Sequence, residues 1–195
     1  MLTVAVIGQK WLAESVLSAL REVPGVAVTA VVPPGPADRL ATLAEQYGIA
    51  AYSLEDCPPV DLAVAAHLHR FMPGAIRGRF RLGVLAYHPS LLPAHRGRDA
   101  VRWVVHMRER VTGGTVYWMD DGADTGPIEA QEFCHILPGE TPAELWRRAL
   151  APLGVRLLTE TVARLASGEA PRMLPQDERL ATFEPAFTGK RLAQE

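Results

Sequence analysis

The chain has little cysteine and no long apolar run. Its only two cysteines, Cys57 and Cys134, stand far apart in sequence, so neither a disulfide framework nor a zinc site is expected. A membrane-spanning helix needs a run of about 18 apolar residues. No apolar run in this chain approaches that length, and no membrane association is predicted. The first residues lack the basic and apolar stretches of a signal peptide, which makes the cytoplasm the expected compartment.

The chain also has little net charge. A value of −2 over 195 residues offers no basic surface for nucleic acid or anionic lipid, so no nucleic-acid partner is expected. Hydrophobic residues make up 48% and charged residues 22%, which is typical of a globular protein with a buried core. The length suits one domain, and the sequence leaves the oligomeric state open.

A glycine-rich dinucleotide-binding loop is absent as well. The first apolar run ends at Gly8 and continues with Gln9, Lys10 and Trp11, without the spaced glycines that let a pyrophosphate approach the backbone. No nucleotide cofactor is therefore expected. Lys10 can meet a substrate phosphate, but a solvated lysine at a helix start is the interpretation we favour.

Short apolar runs alternate with helical segments through the first half of the chain. Four such runs are predicted to be strands, at residues 3–7, 26–32, 62–66 and 82–87. This alternation predicts a parallel sheet with helical crossovers. Two later segments with alternating polarity, 114–119 and 128–136, flank an Asp-Gly turn and are expected to pair antiparallel.

A long helix is predicted after these strands. Residues 141–144 form a capping box with proline at the first helical position, which favours a helix through Ala166 that Gly168 ends. The expected fold is α/β, a three-layer sandwich around a mostly parallel, Rossmann-like twisted sheet. Residues 1–170 are expected to form the folded domain, and residues 171–195 an irregular C-terminal tail.

Two segments carry the residues expected to do chemistry. His88 stands where the fourth apolar run ends and begins the sequence HPSLLPAHRG. Ligands of open α/β sheets bind at such strand ends, so this histidine is either catalytic or a structural hydrogen-bonding residue. The second segment, DDGADTG, begins at Asp120 and carries three carboxylates. For Asp120 and Asp121, turn formation alone is a sufficient explanation.

No metal site is predicted. His67 and His69 share one face of the third strand's end, but no third ligand has a suitable spacing. Asp120, Asp121 and Asp124 lack the regular spacing and the closing glutamate of a calcium loop.

Together the two segments resemble the signature of the folate-dependent formyltransferase superfamily. The resemblance runs from about residue 3 to about residue 183 and implies the formyltransferase fold. It implies 10-formyltetrahydrofolate as formyl donor, without a metal. It places His88 and Asp124 at the positions of the catalytic histidine and aspartate that flank the formyl carbon.

The resemblance also implies where folate binds. Arg70, Phe71 and Met72 match the segment that lies against the pterin ring, and Asp120 and Asp121 match the turn opposite it. An alternative interpretation of Phe71 and Met72 is that both are core residues.

One departure from the superfamily pattern lies two residues before His88. Most members carry Asn-x-His, whereas this chain reads Ala86-Tyr87-His88, and alanine has no side-chain donor. An apolar residue here is typical of the branch formed by the hydrolase domain of 10-formyltetrahydrofolate dehydrogenase, which the chain resembles more closely. That branch implies formyl transfer to water. There are two alternatives. One is formyl transfer to the amine of a small metabolite, and the other is a non-catalytic folate-binding or interaction role, which Ala86 permits.

Overall fold

The computed structural model describes residues 1–187. Its centre is one six-stranded sheet built from β1 Leu2–Gly8, β2 Val26–Val32, β3 Leu62–Ala66, β4 Val84–His88, β5 Val111–Trp118 and β6 Ile128–His135. The strand order is β2-β1-β3-β4-β5-β6; β1 to β4 pair parallel, and β5 pairs antiparallel with both β4 and β6. The expected α/β architecture with a mostly parallel sheet is confirmed.

Helices and loops cover both faces of this sheet. The helices are α1 Lys10–Arg21, α2 Arg39–Gln46, α3 Gly74–Arg77, α4 Ala100–His106, α5 Pro142–Leu145 and α6 Ala151–Ala166. Alternate strand residues point to opposite faces, so Val4 and Val6 pack against α1 and α6, whereas Ala5 and Ile7 pack against Leu54 and other residues of the loop side. Within the described residues, no helix is long and apolar enough to cross a bilayer.

Two predicted elements differ in detail from the structure. Strand β4 begins at Val84 rather than at Leu82, because Gly83 adopts φ +99°, a left-handed conformation that breaks the extended chain. The helix predicted from the capping box runs from Pro142 to Ala166 as expected, but Trp146–Leu150 forms a π-helical turn between α5 and α6. Pro152 follows this turn and lacks the N–H that a regular helix would use, and the wider turn accommodates that loss.

The chain after α6 returns to the antiparallel end of the sheet. Leu174 pairs with Ile128 in one isolated bridge, and Phe183 pairs with Arg96 in another. One 3₁₀ turn, Glu178–Leu180, interrupts this otherwise extended segment. The described part of the tail therefore contacts both β6 and the loop that follows β4.

A buried ion pair fixes β6 to α6 and to the tail. Glu129 is 1% exposed and accepts hydrogen bonds from Trp118 Nε1 at 2.9 Å, Arg164 Nη2 at 2.6 Å and the Arg172 backbone N–H at 2.8 Å. Burial favours a higher pKa for the Glu129 carboxyl, but these hydrogen bonds outweigh it and lower that pKa below its usual value. Glu129 is therefore ionised and compensated inside the fold.

Candidate active site

His88 and Asp124 lie together at the carboxyl edge of the sheet. His88 is the last residue of β4, and Asp124 lies on the turn between β5 and β6. The distance from His88 Nδ1 to Asp124 Oδ2 is 3.4 Å, and their side chains are 8% and 19% exposed. The two predicted residues thus meet in one largely shielded position. Their catalytic role stays a prediction.

The second ring nitrogen of His88 is already engaged. Its Nε2 lies 2.7 Å from the carbonyl oxygen of His95. A carbonyl only accepts hydrogen bonds, so this contact assigns the hydrogen to Nε2. Nδ1 is therefore the nitrogen that can take up or release a proton, and it is the one that faces Asp124.

His95 anchors the loop that follows β4. Its buried ring lies between two carboxylates, with Nε2 2.8 Å from Glu109 Oε1 and Nδ1 3.1 Å from Glu184 Oε2. Its backbone N–H donates to Thr182 Oγ1 at 2.7 Å. These contacts hold in place the carbonyl that orients His88.

The carboxylate of Asp124 is held at both oxygens. Oδ2 accepts the backbone N–H of Gly97 at 2.8 Å, and Oδ1 accepts the hydroxyl of Tyr117 at 2.6 Å. Asp124 itself adopts φ +58°, and the Gln176 amide stabilises this turn by donating to the carbonyls of Asp124 and Gly126 at 2.8 and 2.7 Å. The turn therefore sets the direction of the carboxylate.

Asp120 has the local role that turn formation requires. Its Oδ1 accepts the backbone N–H of Gly122 at 3.0 Å and the hydroxyl of Thr125 at 2.6 Å. This is the geometry in which an aspartate closes its own turn. Asp120 thus shapes the turn that carries Asp124.

The three predicted folate-binding residues of the 70–72 segment have different environments. The Met72 side chain is fully buried, Phe71 is 62% exposed, and Arg70 forms a surface ion pair with Glu55. The core interpretation is therefore confirmed for Met72 and wrong for Phe71. No hydrogen bond runs from the backbone N–H groups of residues 70–72 to another described residue. Free backbone donors beside apolar side chains fit a flat, polar heterocycle.

Arg77 connects this segment to the turn opposite. Its largely buried guanidinium donates to the Met72 carbonyl and forms an ion pair with Asp121. Asp121 is otherwise exposed, so the pair itself contributes little stability. The contact nevertheless sets the spacing between the two segments predicted to enclose folate.

A cavity of about 420 Å³ lies over the ends of β1, β2 and β3, and Gly8, Pro33, His67, His69 and Arg70 are among its lining residues. Burial lowers the pKa of His67 to about 4, with a further contribution from His69 and Lys10, so His67 is neutral near pH 7. Within the described residues, no three His, Cys, Asp or Glu side chains are placed to bind a metal ion.

Three site residues escaped the sequence interpretation: Tyr117, Gln176 and Arg77. Arg77 and Gln176 act through contacts distant in sequence, and Tyr117 acts across the turn that follows its own strand. No local motif marks such contacts. The alternation along β5 could have placed Tyr117 on an inward face, but only the pairing of β4 with β5 brings it beside the pair.

Comparison with known proteins identifies the family of the chain. Residues 2–162 match the family model described as Formyl transferase. The chain belongs to the formyl transferase family. It is 36% identical over 202 residues to the mitochondrial 10-formyltetrahydrofolate dehydrogenase of Homo sapiens, covering 94% of this chain and 22% of that protein. The cytosolic 10-formyltetrahydrofolate dehydrogenase of Homo sapiens is 36% identical over 201 residues, with 93% and 22% covered. The chain thus spans about a fifth of the length of these relatives.

Several solved structures share the fold. Glycinamide ribonucleotide transformylase 1 from Symbiobacterium toebii has a TM-score of 0.78 at 24% identity, with 90% of this chain and 93% of that chain covered. An N-formyltransferase from Helicobacter canadensis, in complex with folinic acid and dTDP-3-aminofucose, has a TM-score of 0.77 at 18% identity, with 94% and 71% covered. The resemblance to the formyltransferase superfamily, and to its dehydrogenase branch, is confirmed.

Proposed function

We propose that the protein hydrolyses 10-formyltetrahydrofolate to formate and tetrahydrofolate, with His88 and Asp124 as the reacting groups. The observation that carries this proposal is the 3.4 Å approach of His88 Nδ1 to Asp124 Oδ2 at the carboxyl edge of the sheet. Family membership supports formyl chemistry. Identity of 36% to proteins named 10-formyltetrahydrofolate dehydrogenase supports the donor.

The folate would bind between residues 70–72 and the turn that begins at Asp120. The free backbone N–H groups of the first segment support this position, because a pterin ring presents acceptors along its edge. Arg77 would keep the two segments at a fixed distance through the Met72 carbonyl and Asp121. Phe71, which is exposed in this structure, would provide an apolar surface beside the ring.

His88 would act through Nδ1, since its Nε2 donates to the His95 carbonyl. When protonated, Nδ1–H can donate to the formyl oxygen as negative charge develops there, and stabilising such charge is usually the largest single contribution to catalysis. Asp124 would accept a proton from the attacking water. The water oxygen bonds to the formyl carbon, the bond from that carbon to the folate nitrogen breaks, and the proton passes to the leaving nitrogen.

The choice of water as acceptor rests on position 86. Ala86 is buried and offers no side-chain donor to the formyl oxygen, which the amide of the Asn-x-His pattern would supply. A backbone group or a water molecule would have to make this contact. The same apolar choice occurs in the hydrolase branch that the sequence resembles.

Replacing Ala86 with asparagine is expected to give no increase in formate release. The position is enclosed in a buried cluster, so the larger side chain should overpack the site at a cost of about 1–3 kcal/mol. Initial rates and thermal unfolding of Ala86→Asn, with Ala86→Ser as a smaller polar control, measure both effects. A clear rise in kcat for Ala86→Asn would mean that the site can still use a side-chain amide and that its absence only slows the reaction.

One incubation distinguishes the three candidate roles. The purified protein is mixed with 10-formyltetrahydrofolate alone, or together with small primary amines, and formate, tetrahydrofolate and formamide products are quantified. Formate release without an amine is the expected result. Products that form only with an amine would identify an N-formyltransferase, and saturable folate binding without any product would identify a non-catalytic protein.

A further inference from the structure

Tyr117 lies beside the candidate pair on the strand next to His88. In the antiparallel pairing of β4 and β5 it stands directly opposite Ala86, and both residues belong to the same buried cluster. Ala86 and His88 are two residues apart in β4 and so share a face of the sheet. The tyrosine, the alanine and the histidine therefore lie on one face, at the position where the superfamily pattern has an amide.

The hydroxyl of Tyr117 holds one of the two oxygens of the Asp124 carboxylate. It donates to Oδ1 at 2.6 Å, while Oδ2 accepts the Gly97 backbone N–H at 2.8 Å and faces His88 Nδ1 at 3.4 Å. Among the described residues, Tyr117 and His88 are the two side chains that form a hydrogen bond or an ion pair with this carboxylate. With Oδ1 held by Tyr117, the carboxylate cannot turn Oδ2 away from the imidazole without breaking a hydrogen bond to a charged group.

We propose that Tyr117 is a positioning residue for Asp124, supplied by β5 beside the place where residue 86 has no polar side chain. Its effect on turnover rests on the proposed function, whereas its effect on the His88–Asp124 pair does not. Tyr117 acts on the reaction only through the carboxylate that it holds.

The environment keeps Tyr117 in the form that this role requires. Burial, followed by the nearby Asp124 and Asp120 carboxylates, raises the pKa of Tyr117 well above its usual value. The phenol therefore keeps its proton and remains a donor throughout the pH range in which such an enzyme works. A strong donor in a shielded position is what a carboxylate needs in order to keep one orientation.

Tyr117→Phe removes the hydroxyl and keeps the ring in the core. We expect kcat for formate release to fall about tenfold, which corresponds to about 1.4 kcal/mol in the barrier, with little change in KM for 10-formyltetrahydrofolate. Loss of a donor to a carboxylate makes the pair bind a proton more tightly. The acid side of the pH–kcat profile should therefore move to higher pH.

Tyr87→Phe is the matched control. Tyr87 is also a buried strand tyrosine, but it lies on the opposite face and donates its hydroxyl to the Leu150 carbonyl at 2.7 Å. Its loss should lower the melting temperature and leave the pH–kcat profile unchanged. The other charged groups near the pair, Arg96 and Asp120, are unaltered in both variants.

A titration that needs no turnover completes the test. The imidazole nitrogens of His88 are followed by NMR against pH in protein labelled with nitrogen-15 histidine, with His88→Gln used to assign the signals. We expect the titration of the pair to move to higher pH in Tyr117→Phe and not in Tyr87→Phe. An unchanged titration in Tyr117→Phe would overturn the inference even in an active enzyme. A shifted titration in a protein without formate release would support the inference and contradict the proposed function.

Discussion

Formate release from 10-formyltetrahydrofolate should be lost when His88 is replaced by alanine. A positioned acid or base contributes about 10²–10⁴-fold to such reactions, and Nδ1 of His88 is the nitrogen free to do so. Steady-state rates, with unfolding curves to verify the fold, measure the effect. His88→Gln should be as inactive, although its amide can still donate to the His95 carbonyl.

His106→Ala provides the matched control for this prediction. His106 is an exposed residue at the end of α4, so its removal should leave the rate of formate release unchanged. Wild-type formate release by His88→Ala would show that the mechanism proposed for the pair is wrong. The same outcome would leave the family membership of the chain intact.

Glu129→Ala is expected to destabilise the fold by about 3–5 kcal/mol, because it leaves Arg164 without its buried partner. Chemical denaturation measures the free energy of unfolding. Glu132→Ala is the control on the same strand: its pair with Arg156 is solvent-exposed, and a change within about 0.5 kcal/mol is expected. Equal losses in the two variants would contradict the structural role assigned to Glu129.

The lowered pKa of Glu129 also predicts how stability depends on pH. The carboxyl binds its proton less tightly in the folded than in the unfolded chain, so it stabilises the fold above its usual pKa. That contribution should disappear as the pH falls through the lowered folded value. Wild type and Glu129→Gln should therefore differ in stability near neutral pH and converge in acid.

Local patterns in the sequence predicted most of the sheet, and the resemblance to the superfamily implied the approach of His88 to Asp124. His88 ends a strand and Asp124 lies on a segment with a strong turn signature. Because β5 is antiparallel to β4, its carboxyl end lies beside the start of β4, and Asp124 reaches His88 only through the loop that follows β5. The π-helical turn before α6 was not predicted, because the apolar periodicity continues through it. The sign of it in the sequence is Pro152, which lacks the N–H of a regular helix. The periodicity indicates which residues face the core, but it does not distinguish an α-helical from a π-helical turn.

The contacts that surround the pair depend on long-range packing. Tyr117 lies opposite Ala86, on the face of His88, only because β4 and β5 pair in one particular register, and strand register is not encoded within either strand alone. Gln176 lies 52 residues beyond Asp124, whose turn it stabilises. Glu129 pairs with Arg164, which lies 35 residues later in the chain, and no residue near Glu129 in the sequence indicates this partner.

The most direct measurement of the central claim is the fate of the formyl group in water enriched in oxygen-18. The purified protein, given 10-formyltetrahydrofolate and no amine, is expected to release tetrahydrofolate and formate that carries one oxygen atom from the solvent per turnover. His88→Ala, assayed beside it, should release neither product above the rate of the protein-free solution. Absence of labelled formate from the wild-type protein, with product appearing only when an amine is supplied, would contradict the account.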